Sequence, residues 1–314
     1  MRYSRYRRKP RRSYRKSGAK RRSSARPSRY TARTRRYTRK RPMSRKSVLN
    51  LTSRKKKDVM QPVSFNSASG TPTNTARYGV PAVLQGGRQN MLYWCATARD
   101  LTLNNGNVAS VAQQATRTAT TCYMRLLSEK ITIQTSSAIP WTWRRIVFSG
   151  KGPDFRPTPG ESAAPNPRVP YIESSQGYGR LMQQWDAAGG LGNTQAEIFT
   201  RLFRGVSGVD WTDPFLAPLD PLRVTVLYDK RKTLIPQTTS GYVHETKRTH
   251  YFNKNLVYDD DESGDAMTTN YYSVDSKAGM GDVYVIDLFH SGVNGTSSDL
   301  LYFTPEATLY WHEK

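Results

Sequence analysis

The first 57 residues contain no aspartate or glutamate, and the first acid in the chain is Asp58. Cysteine is nearly absent: Cys95 and Cys122 are the only two in 314 residues. That excludes a disulfide framework and reads as two small buried thiols in a reducing compartment. No apolar run approaches the about 18 residues of a membrane span, and the charged start is not followed by the apolar stretch of a secretory signal. The expected setting is therefore an aqueous intracellular compartment, with no membrane partner. Several motifs are also missing: a G-x-x-x-x-G-K-[ST] phosphate loop, a G-x-G-x-x-G turn after a strand, H-E-x-x-H and C-x-x-C. Their absence removes the common nucleotide-driven, dinucleotide, zinc-hydrolase and dithiol chemistries. The reading is of a non-enzyme with no catalytic residues, no cofactor and no metal site.

What the start of the chain has instead is cation. Residues 1–57 hold 26 lysines and arginines: Arg2, Arg5, Arg7, Arg8, Lys9, Arg11, Arg12, Arg15, Lys16, Lys20, Arg21, Arg22, Arg26, Arg29, Arg33, Arg35, Arg36, Arg39, Lys40, Arg41, Arg45, Lys46, Arg54, Lys55, Lys56 and Lys57. Of 49 basic residues in the chain, that leaves 23 for the remainder against 24 acids, so the net charge of +25 resides in this segment. A block of like charges with little to bury is expected to be disordered until a polyanion neutralises it. Arginine forks match phosphate oxygens in bidentate fashion. Tyr3, Tyr6 and Tyr14, set among the cations with Tyr30 and Tyr37, offer faces on which unpaired bases stack at about 1–3 kcal/mol each. The combination predicts a single-stranded nucleic-acid ligand. RYRRKPRR (Arg5, Arg7, Arg8, Lys9, Arg11, Arg12) also fits a nuclear localisation signal, but such a signal needs only about five to eight residues and leaves most of the charge unexplained. An anionic membrane is the other polyanion, and the segment lacks the apolar face of an interfacial helix.

Residues 58–90 are polar, with proline and glycine punctuation, and read as a linker. From 91 to 314 short runs rich in β-branched and aromatic residues recur: MLYWCATA, TCYMRLL, EKITIQT, WTWRRIVFS, LRVTVLYD, GYVHETKRTHYF, TNYYSV, DVYVIDLF, LLYFT and ATLYW. So many short strands predict an antiparallel β-sandwich. In EKITIQT, Ile131 and Ile133 alternate with Lys130, Thr132 and Gln134, the pattern of a sheet with one wet face. DVYVIDLF is apolar on both faces and should sit centrally. Helical periodicity is confined to NTQAEIFTRLFRG at 193–205 and a shorter RLMQQWDAA at 180–188. The proline-rich 151–179 reads as a long surface loop.

Three passages invite chemistry. His244 and His250, six apart in an expected strand, could share a face toward a metal, and read better as cross-strand partners. YDDDESGDAMTTN places Asp259, Asp261, Ser263 and Gly264 as an EF-hand loop would, but its twelfth position is Asn270 and it sits between strands. It reads as an exposed acidic turn. Trp141 and Trp143 alternate with Thr142 and Arg144, which puts the indoles in the core and the arginine outside rather than offering a base-stacking platform.

The start MRYSRYRRKPRRSYRKSG, VTVLYDKRKTL at 224–234 and KRTHYFNKNLVYDDDESG at 247–264, followed by DVYVIDLF and ATLYWHEK, resemble genomovirus capsid proteins, a group similar to geminivirus coat proteins. The resemblance implies an eight-stranded antiparallel jelly roll at 91–314 with long loops and one or two short helices, preceded by the disordered basic arm 1–57 and the linker 58–90. It also implies a homo-oligomeric icosahedral shell of about 60 copies, a circular single-stranded DNA genome held by the arm, entry by the host nuclear import machinery, and residence in the virion and the host nucleus. The alternatives are an RNA-binding component such as a ribosomal protein, for which a basic tail is equally natural, and an enzyme on nucleic acid, which would need a concave cluster of acids or histidines.

Overall fold

Ile131 and Ile133 are buried while Lys130 and Gln134 face solvent, so the period-two pattern is indeed one strand of a half-wet sheet. The computed structural model describes residues 42–157, 161 and 168–314. Helix α1 (Arg45–Thr52) runs into β1 (Arg54–Met60), then β2 (Pro62–Asn66), β3 (Pro72–Tyr78), β4 (Ala82–Gln85), β5 (Gln89–Cys95), β6 (Thr121–Thr135) and β7 (Trp141–Gly150). A long connection carries β8 (Glu173–Ser174), β9 (Gly177–Tyr178), β10 (Arg180–Gln184) and helix α2 (Gly192–Leu202). The chain continues with β11 (Thr225–Leu234), β12 (Val243–Val257), β13 (Asp261–Ser263), β14 (Ala266–Thr268), β15 (Asp282–Ser291) and β16 (Leu300–Glu313).

Two sheets stack. The smaller has the order β1-β16-β6-β12, with β4 also on β16, and the larger runs β11-β7-β15-β5-β10-β2-β3. Among the named strands all pairings are antiparallel except β10 with β2. The eight principal strands, in chain order β1, β5, β6, β7, β11, β12, β15 and β16, alternate between the sheets except at the step from β7 to β11. That connectivity, with first and last strands adjacent, is the eight-stranded jelly roll. Two apolar clusters fill the space between the sheets, one around Trp94, Leu127, Val285 and Trp311, the other around Leu92, Ile133, Trp141 and Phe303. DVYVIDLF becomes β15, flanked by β7 and β5. A third cluster lies on the larger sheet's other face, where Tyr93, Phe148, Tyr284 and Ile286 meet Ile198, Phe199, Leu202 and Phe203 of the long connection. Gly150 makes room for it: a Cβ there would lie 2.5 Å from the Phe155 ring.

Five expectations need correction. Residues 58–90 are not a linker, because they hold most of β1 and all of β2, β3 and β4, and Asp58 and Met60 are buried. The folded unit begins at Arg45, inside the expected arm. Residues 180–188 form no α-helix: Arg180–Gln184 is β10, wedged between β5 and β2, and only Ala187–Gly189 makes a single tight turn. TNYYSV is largely loop, β14 ending at Thr268. Arg144 faces away from the sandwich core as expected, yet it is buried. Its guanidinium donates to Pro214 O at 2.6 Å and Ala217 O at 2.9 Å and pairs with Asp229 at 2.7 Å.

The two split runs LLYFT and ATLYW are one strand, β16, with Pro305 inside it. β4 pairs with Leu300–Phe303 and β1 with Ala307–Glu313, so on that side Pro305 falls in the gap between them. A proline has no N–H to offer a ladder, and the gap asks for none.

Candidate nucleic-acid interface

The expected phosphate-binding residues from Arg2 to Arg41, with Tyr3, Tyr6, Tyr14 and the localisation motif, lie outside the described residues. Those further on fall in α1 and β1. Arg45 is exposed on α1, where Lys46 also lies, and on β1 the side chains alternate. Arg54, Lys55 and Lys57 face solvent; Lys56, Asp58 and Met60 face inward.

Lys56 therefore does not belong among the phosphate-binding residues. Its ammonium is buried, donates to Thr116 O at 2.7 Å and Gln113 O at 3.3 Å, and pairs with Glu313 at 3.3 Å. Glu313 in turn accepts from Trp311 Nε1 at 2.7 Å and Thr118 N at 3.1 Å. Burial pushes the Glu313 carboxyl up, but these donors and Lys56 outweigh it and hold the group below the usual carboxylate range. Two residues on, Asp58 pairs with Arg99 at 2.8 Å, and that guanidinium lies over the rings of Tyr178 and Trp311. A cation in a basic run can thus be a structural peg; only the strand period marks which one.

The outer face of the smaller sheet continues the arm's chemistry. The register places Lys57 opposite Tyr310, Tyr310 opposite Leu126 and Leu126 opposite Tyr251. Beside this rung Lys55 lies opposite His312 and His312 opposite Tyr123. Arg125 occupies a register shift next to them and donates to Asn253 Oδ1. Asn253 adopts φ 53°, the left-handed conformation that the matching bulge in β12 requires. Burial, then Arg125 and Lys55, hold the His312 imidazole below its ordinary pKa. The result is a strip of cations and partly exposed tyrosines leading from the edge strand on which the arm's sequence ends. The residues of this strip are scattered over four strands, β1, β16, β6 and β12, so the linear sequence does not display it.

The passages that invited other chemistry are accounted for. Trp141 and Trp143 are buried, Trp143 donating its Nε1 to Asp287 at 2.9 Å, and neither can stack on a base. Around the acidic turn, Asp260 forms a two-pronged pair with Arg117 at 2.5 and 2.6 Å, and that guanidinium stacks 3.9 Å over the Tyr258 ring. Asp261–Thr268 forms the exposed β13–β14 hairpin rather than a calcium loop. His244 and His250 face inward on β12, His244 accepting from Lys232 Nζ at 2.8 Å and His250 packing on Tyr228. Among the described residues no three His, Cys, Asp or Glu side chains are grouped as a metal site. Cys95 and Cys122 are buried free thiols that burial pushes far above the ordinary thiol pKa.

No protein-family model and no curated protein matches the chain. Among solved structures it aligns with the Merkel cell polyomavirus virus-like particle at 9% identity, covering 83% of this chain and 74% of that one, with a TM-score of 0.17. It also aligns with a point mutant of the unassembled Washington University polyomavirus VP1 pentamer at 11% identity, covering 87% and 97%, with a TM-score of 0.15. At such scores the ground for the fold remains the strand order itself.

Proposed function

We propose that this chain is the coat protein of a small single-stranded DNA virus, in which many copies close into a shell and the basic arm condenses the genome inside. The observation that carries the reading is the partition of charge: 26 cations and no acid in residues 1–57, against 23 basic and 24 acidic residues in all that follows. The folded unit from Arg45 onward carries 29 basic against 24 acidic residues, little net charge for its size, and is free to pack against copies of itself, while residues 1–44, with 20 cations and no acid, supply most of the attraction for phosphate. Jelly rolls recur in viral capsids. The arm cations other than Lys56 contact phosphate, Tyr3, Tyr6 and Tyr14 stack on bases, and Lys55, Lys57, Tyr310 and Tyr251 extend that surface onto the smaller sheet. RYRRKPRR carries the protein to the nucleus through the import machinery. A shell of about 60 copies would enclose about 1,500 arm charges, which limits the genome to a few thousand nucleotides.

The test is to purify the full chain from cells, treat it with nuclease, image it by electron microscopy and extract what survives. Uniform closed particles that protect single-stranded DNA are expected. A monomer, or a protein that copurifies stoichiometrically with structured RNA and forms no particle, refutes the proposal.

A further inference from the structure

One edge of each sheet, β11 of the larger and β12 of the smaller, lies on the same side of the sandwich, and a cleft of about 340 Å³ opens between them. Its walls are Tyr228, Lys230, Arg231 and Lys232 of β11, Arg248 of β12, and Arg145 with Trp143 of β7. Among the described residues no carboxylate lines it. Asp229, the acid nearest in sequence, is held by Arg144, its oxygens 2.9 and 2.7 Å from that guanidinium. Arg145 is neutralised from within by Glu129 and Asp287. Among the described residues, Lys230, Arg231, Lys232 and Arg248 have no carboxylate partner at ion-pair distance.

Two hydrogen-bond donors on the wall are idle. Arg145 is 1% exposed, and its Nε and the Nε of Arg248 are both buried without an acceptor. Just behind, His250 Nε2 is likewise buried without a partner, its ring 5.1 Å from that of Tyr228. The local field is felt by both histidines of β12. Burial, then Lys232 and Arg248, lower the pKa of His244, while burial and Arg145 bring that of His250 to about 4 against the opposing pull of Glu129. A buried donor without an acceptor is costly, and cations crowded together without counter-charge repel one another. One occupant relieves both: a compact oxyanion with several acceptor oxygens.

We propose that the cleft between β11 and β12 is a phosphate-binding site in the folded unit, separate from the basic arm, with Arg248, Lys230 and Lys232 as the principal ligands. It accepts the phosphate group itself, whether free or as a nucleic-acid phosphate. The inference does not depend on the coat-protein reading or on anything the arm does.

The four histidines all lie outside the arm, at 244, 250, 290 and 312, so their imidazole NMR signals report on the folded unit in the intact chain even while the arm binds the same anions. The unassembled full-length protein, with labelled histidine at pH 7, is titrated at constant ionic strength with inorganic phosphate and, separately, with a short oligo-dT. Saturable shifts at His244 and His250, with His290 and His312 unmoved, are expected for inorganic phosphate. The same shifts with oligo-dT assign the site to nucleic-acid phosphate as well; their absence there assigns it to the free anion. Lys230→Gln, an exposed position on an edge strand, and Arg248→Gln should each weaken the response at least about tenfold, the loss of one charge-assisted contact. The proposal is overturned if no histidine responds saturably to inorganic phosphate, if all four respond alike, or if the response persists unchanged in both variants.

Discussion

Replacing Asp287 by asparagine should destabilise the folded unit by about 3–5 kcal/mol, the range for removing one partner of a buried ion pair. Asp287 sits at the middle of the sandwich, between its two apolar clusters, where it accepts from Trp143 Nε1 at 2.9 Å, Arg145 Nη1 at 3.4 Å and Arg180 Nη2 at 2.9 Å. Glu129 takes the other prongs of the same two arginines, from Arg180 Nε at 3.0 Å and from Arg145 Nη2. Burial pushes the Glu129 carboxyl up, yet Arg145 and Arg180 outweigh that and hold it below its usual range. The four side chains sum to zero charge, and all are at most 1% exposed. The asparagine keeps shape and one acceptor, so the loss measures the uncompensated positive charge rather than a cavity. Urea unfolding of the unassembled chain, followed by tryptophan fluorescence, reads it directly. The double variant Asp287→Asn with Arg180→Gln removes one charge of each sign and should lose about 1–3 kcal/mol less than the two single losses added together. A single-variant loss below about 1 kcal/mol, or strict additivity in the double, would refute the argument from charge balance.

Lys56→Met should cost about 3 kcal/mol by stranding Glu313, whereas Lys55→Met and Lys57→Met, on the wet side of the same strand, should stay within about 0.5 kcal/mol by the same urea assay. Two buried groups should oppose each other in acid. The depressed pKa of His250, about 4, means a stabilising contribution present above the ordinary 6.5 and lost as pH falls toward 4. The Asp282 carboxyl, pushed up to about 6 from 3.8 by burial against the opposing hydrogen bonds of Ser273 and Thr97, contributes stability below 3.8 that is lost as pH rises through 6. Each is worth about 3 kcal/mol, so His250→Gln should become relatively more stable on acidification from pH 6.5 to 4 and Asp282→Asn relatively less stable. Parallel pH profiles for both variants and the parent would contradict these assignments. For the arm, log affinity for single-stranded DNA should fall with log salt at about −0.7 per phosphate contacted. Alanine at Tyr3, Tyr6 and Tyr14 together should remove the preference for single strands over duplex that persists at high salt; a preference unchanged in that variant leaves charge alone.

What could be read in the residues depended on how strongly each strand was amphipathic. β6, β7, β15 and β16 are long, rich in β-branched and aromatic residues, and central, so local pattern and final burial agree. β1 to β3 are polar and interrupted by Pro62, Gly70 and Pro72, yet form because a neighbour's edge supplies partners that no local window contains. RLMQQ is made of good helix formers, and it is a strand because Leu181 and Met182 are claimed by the sandwich core. The buried Glu129, Arg145, Arg180 and Asp287 were invisible for a related reason: charges in alternating strands read as solvent-facing until four strands bring them together. The basic arm needed no fold to be recognised, whereas the tyrosine and lysine strip on the smaller sheet exists only through register.

The pairing of β1 with β16 also has a mechanical side. Arg54 pairs with Glu313, so the outermost rung of the ladder lies where β1 receives the preceding chain. Tension along that chain would open the ladder rung by rung, the geometry in which hydrogen bonds resist least because they fail singly. The first inward side chains such a peel would meet are Lys56 and Asp58, each bound to an opposite charge in the interior. To lift them out is to strand Glu313 and Arg99 without partners, so the weak unzipping direction is latched by two ion pairs within five residues of the strand's start.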